Sequence, residues 1–199
     1  RGHGVEKDDV QAVEWYRKAA ESGYAMAQYN LGQCYYFGDG VEQDYAQAVE
    51  WFRKAAEQEY ANAQYRLACC YGNGEGVEKD VGQAFQWMRK AAKQNNIRAQ
   101  DELGDCYYLG EGVEKDLTQA AEWYRKAADQ GHPDAQYSLG DCYYSGEGVE
   151  QNYKKAVEWY QKAAEQDYVA AEYSLGWCYE HGQGVRKKPA KAIEWYHKA

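Results

Sequence analysis

Five cysteines, Cys34, Cys70, Cys106, Cys142 and Cys178, recur at a constant spacing of 36 residues, with Cys69 as a sixth. Thiols repeated in this way could build a ladder of metal sites or a disulfide framework, or could simply pack. Beside them run the strings GDGV and GEGV, which could cradle a phosphate. Zinc binding would call for cysteines at C-x₂₋₄-C spacing, and the chain has none. A dinucleotide or P-loop signature needs a preceding strand, a following helix start and, for the P-loop, a lysine; these glycines instead follow a helical pattern and recur in every copy. The stretch GDGVEQD lacks the ligand order of a calcium loop. His3, His132, His181 and His197 occupy unrelated positions and read as surface variation, and no serine sits in a nucleophile motif. The chain is therefore expected to be non-enzymatic, with no cofactor and no metal ligands.

The elements that carry these residues repeat with the same interval. Trp15, Trp51, Trp87, Trp123, Trp159 and Trp195 share it, as do Leu31, Leu67, Leu103, Leu139 and Leu175; Trp177 alone falls outside the tryptophan register. Each unit reads as two helices. In the first, Ala27, Leu31, Cys34 and Tyr35 form one apolar stripe, and Gly38 and Gly40 end it. Asp44, Asp80 and Asp116 are N-caps of the second helix, each with a glutamine three residues on to complete a capping box; at the last copy Pro189 follows Lys188 as a first helical residue. Ala48, Trp51, Phe52, Ala55 and Ala56 make the apolar face of that helix, and Glu50/Lys54, Glu122/Lys126 and Glu158/Lys162 are spaced as i, i+4 pairs. Gly23, Asn95 and Gly131 close three units; Glu59 and Asp167 do so less comfortably. A leading second helix and five pairs give eleven helices. One pair cannot bury its apolar face alone, whereas stacked pairs can.

Totals narrow the partners. A net charge of −9 on 199 residues disfavours nucleic acid, and no apolar run is long enough to cross a bilayer. The opening RGHGVEKDDV shows no signal peptide and matches the interior of a repeat, so the chain reads as a segment cut from a longer array. Equivalent cysteines in successive units would be separated by a packed helix, with neighbouring axes about 8–10 Å apart, beyond the roughly 7 Å between Cα atoms that a disulfide spans. Six unpaired cysteines lean towards a reducing, cytoplasmic compartment.

The string AQYxLGxCYxxGxGVxxDxxxAxxWYxKAAEQ resembles the Sel1-like repeat, a relative of the tetratricopeptide repeat, over essentially the whole chain. The resemblance implies an all-α fold, a right-handed α-solenoid superhelix of antiparallel helix pairs. It divides one repeat domain, 1–199, into a partial repeat (1–24), full repeats at 25–60, 61–96, 97–132 and 133–168, and a last repeat at 169–199. It places the cysteines at a small-residue seam between helices, where they pack as reduced thiols. It also implies a non-catalytic interaction scaffold whose first helices line a concave groove. Family alignment with helical spacing puts Tyr29, Gln33, Tyr36, Tyr65, Asp101, Asp105, Tyr108, Tyr137, Asp141, Tyr144, Tyr173 and Trp177 on that face. Asp101 replaces the tyrosine found at this site in the other pairs, so acids lie between tyrosine-bearing ends. Such a groove suits a protein or peptide carrying basic residues. The alternative is structural self-assembly, with apolar ends stacking head to tail as part of a longer protein.

Overall fold

A computed structural model describes residues 8–199, and His3 lies outside them. Among the described residues there are eleven α-helices and no strand: α1 (Asp9–Glu21), α2 (Ala25–Phe37), α3 (Tyr45–Glu57), α4 (Ala61–Asn73), α5 (Val81–Lys93), α6 (Ile97–Leu109), α7 (Leu117–Asp129), α8 (Pro133–Ser145), α9 (Tyr153–Ala164), α10 (Val169–His181) and α11 (Pro189–Lys198). The fold is an all-α solenoid of helix pairs with a 36-residue repeat. The chain forms two compact units, one ending at Asn96 and one running from Ile97 to Ala199. In the first, α1 to α5 pack in chain order; in the second, α6 to α11 do the same.

Local chemistry fixes each hairpin. Asp44, Asp80 and Asp116 accept from the backbone N–H three residues on, and Asn152 caps α9 in the same way. The capping box closes differently from its usual form. Gln47 Nε2 donates to the Asp44 carboxylate (3.3 Å), while the Asp44 backbone N–H donates to the carbonyl of Tyr35 (2.9 Å). The same backbone bond joins Asp80 to Tyr71, Asp116 to Tyr107, Asn152 to Tyr143 and Lys188 to Tyr179, so the cap pins the second helix back onto the first.

The apolar stripes are buried as their spacing demands: Leu31, Leu67, Leu103, Leu139 and Leu175 with the alanines of both helices. Gly140 lets the Tyr160 ring lie directly on α8, where a β-carbon would collide with it. Lysines spaced for i, i+4 glutamate pairs take another partner. The ammonium groups of Lys54, Lys126 and Lys162 lie 4.0, 3.5 and 3.8 Å from the ring centroids of Trp51, Trp123 and Trp159. A half-buried indole face holds a cation better than a solvated carboxylate does.

Backbone strain sits where the turn residues placed it. Glu59, Asn95 and Asp167 are the described non-glycine residues with positive φ, at 61°, 61° and 58°. Gly148 (φ 70°) presses onto the carbonyl of Leu117 at the start of α7, leaving no room for a side chain. Gly148→Ala should therefore cost at least about 2 kcal/mol in chemical denaturation. Glu59→Gly, which relieves a left-handed residue, should stabilise by about 0.5–1 kcal/mol.

Candidate functional site

The face presented by the first helices can be followed within each unit. In the unit ending at Asn96, Tyr29 packs on Phe52 (centroids 5.8 Å) and Tyr60 (5.3 Å), and its hydroxyl accepts from Gln33 Nε2 at 2.6 Å. Tyr36 donates to Glu75 Oε2 (2.8 Å), and Tyr65 is half-buried on α4. In the second unit, Tyr108 donates to Glu147 (3.0 Å) and Tyr144 to Gln183. Asp105 and Asp141 accept from Tyr124 (2.7 Å) and Tyr160 (2.6 Å). Tyrosines at 36, 108 and 144 thus spend their hydroxyls on the loop of the following repeat, 39 residues on.

The C-terminal end of the second unit is more open. Tyr137, Tyr168, Tyr173, Trp177, Glu180 and Tyr196 line a cleft of about 1050 Å³. Tyr173 is 56% exposed and Trp177 41%. Trp177 is held in place: its indole N–H donates to the Tyr144 hydroxyl (3.0 Å), and its ring stacks on His181 with centroids 4.0 Å apart. Tyr196 donates to Glu180 (2.7 Å), so an acid is fixed at the rim. The arrangement offers flat aromatic area at low entropic cost beside negative charge.

A second cluster lies at Asp101. His132, expected from the sequence to be surface variation, is half-buried, with Nδ1 3.5 Å from Asp101 Oδ2 and 3.8 Å from Asp134 Oδ2. Its position as the N-cap residue of α8, followed by Pro133, turns the imidazole inward. Burial first, and then the charges of Asp105, Asp134 and Glu102, push the Asp101 carboxyl up to about 7. Burial lowers the His132 pKa, with Asp134 opposing and Arg98 adding to the shift. One sequence signal points here, the aspartate standing in a tyrosine site; nothing in the sequence singles out the histidine 31 residues later.

The thiols belong to the frame. All six are free. Cys70, Cys142 and Cys178 are buried, while Cys34, Cys69 and Cys106 are half-buried. Burial pushes Cys70 and Cys142 up to about 12, and Cys106 and Cys178 to about 11. A thiol so far above neutrality holds almost no thiolate, the reactive form. Labelling by a thiol reagent at neutral pH should be slow for the five register cysteines in the folded chain and become fast in denaturant; rapid folded-state modification of all five would contradict this packing.

The Sel1 repeat family model matches residues 1–24, 25–60, 61–96, 97–132, 133–168 and 169–199. Among solved structures, a protective antigen of uropathogenic Escherichia coli strains displaying an SLR fold is 45% identical, with a TM-score of 0.91 over 94% of this chain and 40% of that one. The present chain thus spans well under half the length of that antigen. A Sel1 repeat protein from Oxalobacter formigenes is 38% identical, with a TM-score of 0.85 over 98% of this chain and 78% of that one. An immunity protein from Pseudomonas aeruginosa is more distant, at 26% identity and a TM-score of 0.57 over 96% and 69% of the two chains. No curated protein sequence matches. Sel1 repeat proteins are in general protein-interaction scaffolds and typically non-catalytic. The match covers every repeat of the chain, which therefore belongs to the Sel1 repeat family.

Proposed function

We propose that this chain is a non-catalytic scaffold that holds a peptide or a segment of a partner protein on the first-helix face of residues 97–199. The observation that carries the reading is the aromatic cleft beside α10, where Tyr173 and Trp177 stand exposed one helical turn apart, with Tyr137, Tyr168 and Tyr196 lining the same space. Pre-fixed aromatic rings are typical binding anchors, since little conformational freedom is lost when a partner covers them. Asp167 and Glu180 line the same cleft, and Asp141 lies along α8 with Tyr137. That charge favours lysine or arginine on the partner and speeds encounter at low salt. No helix among the described residues is long and apolar enough to cross a membrane.

End-to-end self-association is the second reading, favoured by the exposure of Val169 and Ile193 alongside Tyr173. Sedimentation over a concentration series separates the two readings. For the first, a panel of fluorescent basic peptides carrying one aromatic or aliphatic anchor is titrated against the chain and its variants. Trp177→Ala should weaken the best binder at least tenfold, about 1.4 kcal/mol, with the melting curve unchanged. Wild-type affinity in both Trp177→Ala and Tyr173→Ala would reject the cleft.

A further inference from the structure

We propose that Asp101, His132 and Asp134 form a binding site for a divalent transition-metal ion of the zinc type. The site is separate from the peptide-binding cleft and arises from the repeat register. The inner tyrosine of one repeat ordinarily meets the tyrosine that precedes the first helix of the next: Tyr29 with Tyr60 at 5.3 Å, and Tyr137 with Tyr168 at 5.5 Å between centroids. The same register brings Asp101 against His132. Both members of one contact have changed together, from ring on ring to carboxylate on imidazole. A third ligand-bearing residue, Asp134, stands two positions further on, where sibling repeats carry Met26, Asn62, Arg98 and Ala170.

Two observations point to a ligand rather than to a self-sufficient pair. Asp101 is only 8% exposed, and its carboxylate faces His132 Nδ1 at 3.5 Å, long for a hydrogen bond. His132 Nδ1 is buried and has no hydrogen-bond partner. Buried polar atoms are ordinarily satisfied, and one cation between them would satisfy both together with Asp134. The spacing suits that role. The imidazole nitrogen lies 3.5 and 3.8 Å from the two carboxylate oxygens, and all three ligand atoms lie within 4.8 Å of one another. Bonds of about 2.0–2.2 Å in a tetrahedral zinc site set neighbouring ligand atoms roughly 3.4 Å apart, so closure needs only a slight contraction.

The surroundings fit the same ion. Tyr168 donates to Asp134 Oδ1 (3.1 Å), which orients the carboxylate and leaves Oδ2 towards His132, as an outer-shell partner does. Pro133 restricts His132 to extended backbone, and the observed φ of −67° and ψ of 119° match. Arg98 and the N-terminus of α8 oppose a cation; Asp101, Asp134, Glu102 and Asp105 outweigh them. One imidazole with two carboxylates selects a zinc-like ion over calcium or magnesium, which prefer oxygen ligands alone. Three protein ligands leave a fourth position for water.

The test is calorimetric titration of the whole chain with zinc, with cobalt as a spectroscopic reporter of coordination. Asp101→Tyr and His132→Tyr install the residues that sibling repeats carry, so both variants should fold. The wild-type chain should bind one equivalent that either variant weakens at least tenfold, and zinc should raise the melting temperature of the wild type only. His197→Gln, an exposed histidine on α11, should leave the binding unchanged. Zinc bound equally by the wild type and the two tyrosine variants, or no zinc bound at all, would overturn the site. Peptide affinity measured with a chelator present reports on the cleft separately.

Discussion

One buried amide per repeat ties three helices together. Gln28, Gln64 and Gln136 each donate to the carbonyl of an alanine in the last turn of the preceding second helix, Ala20, Ala56 and Ala128, at 3.1–3.2 Å. The carbonyl oxygen of the same side chain accepts from the glutamine that ends its own second helix: Gln58 to Gln28, Gln94 to Gln64, Gln130 to Gln100 and Gln166 to Gln136, at 2.7–2.9 Å. Each of these carbonyls also accepts a backbone N–H from the turn that follows, Gly23, Glu59 or Gly131 at 3.0 Å, and the amide takes the second lone pair. A buried amide is costly to leave unsatisfied, so these bonds fix the register of neighbouring pairs. The final repeat solves the same problem with other groups. Glu172 cannot donate, and Lys198 Nζ instead reaches both the Ala164 carbonyl (3.1 Å) and Glu172 (2.7 Å). A fully buried carboxylate is tolerated there because a cation meets it.

With the register fixed, the remaining positions of each first helix acquire set duties. Leucine and alanine fill the seam, the tyrosine near the helix end takes an arginine from the preceding second helix, and the next tyrosine fastens to the following loop. Chemistry can vary only where these duties are relaxed. Two such places stand out in residues 97–199: the cleft around Tyr173 and Trp177, and the Asp101 corner. Each departs from the repeat pattern in residue type, and each presents groups that the frame does not use.

Much of the frame was legible from the letters. A 36-residue interval, stripes at helical spacing, aspartate caps and glycine stops give the helix pairs, because all of these are local signals. Glu59 and Asp167 were readable as strained closures for the same reason. The contacts between repeats were not. Gln28 looks like one more polar residue in AMAQY, and its role appears only when the carbonyl of Ala20 and the amide of Gln58 are brought to it. The hydroxyl bonds across 39 residues and the meeting of Asp101 with His132 across 31 depend equally on how pairs stack. Lys54 shows a smaller version of the effect: spacing alone offered Glu50, and a half-buried Trp51 ring won.

Register between repeats depends on the buried amide. Equilibrium denaturation of Gln136→Met, which keeps the volume of the side chain and removes its polar atoms, measures that role directly. Losing its two hydrogen bonds, to the Ala128 carbonyl and from Gln166, should lower stability by about 2 kcal/mol, with the helical signal of the folded state retained. A loss below about 0.5 kcal/mol would mean that apolar packing alone holds the repeats in register.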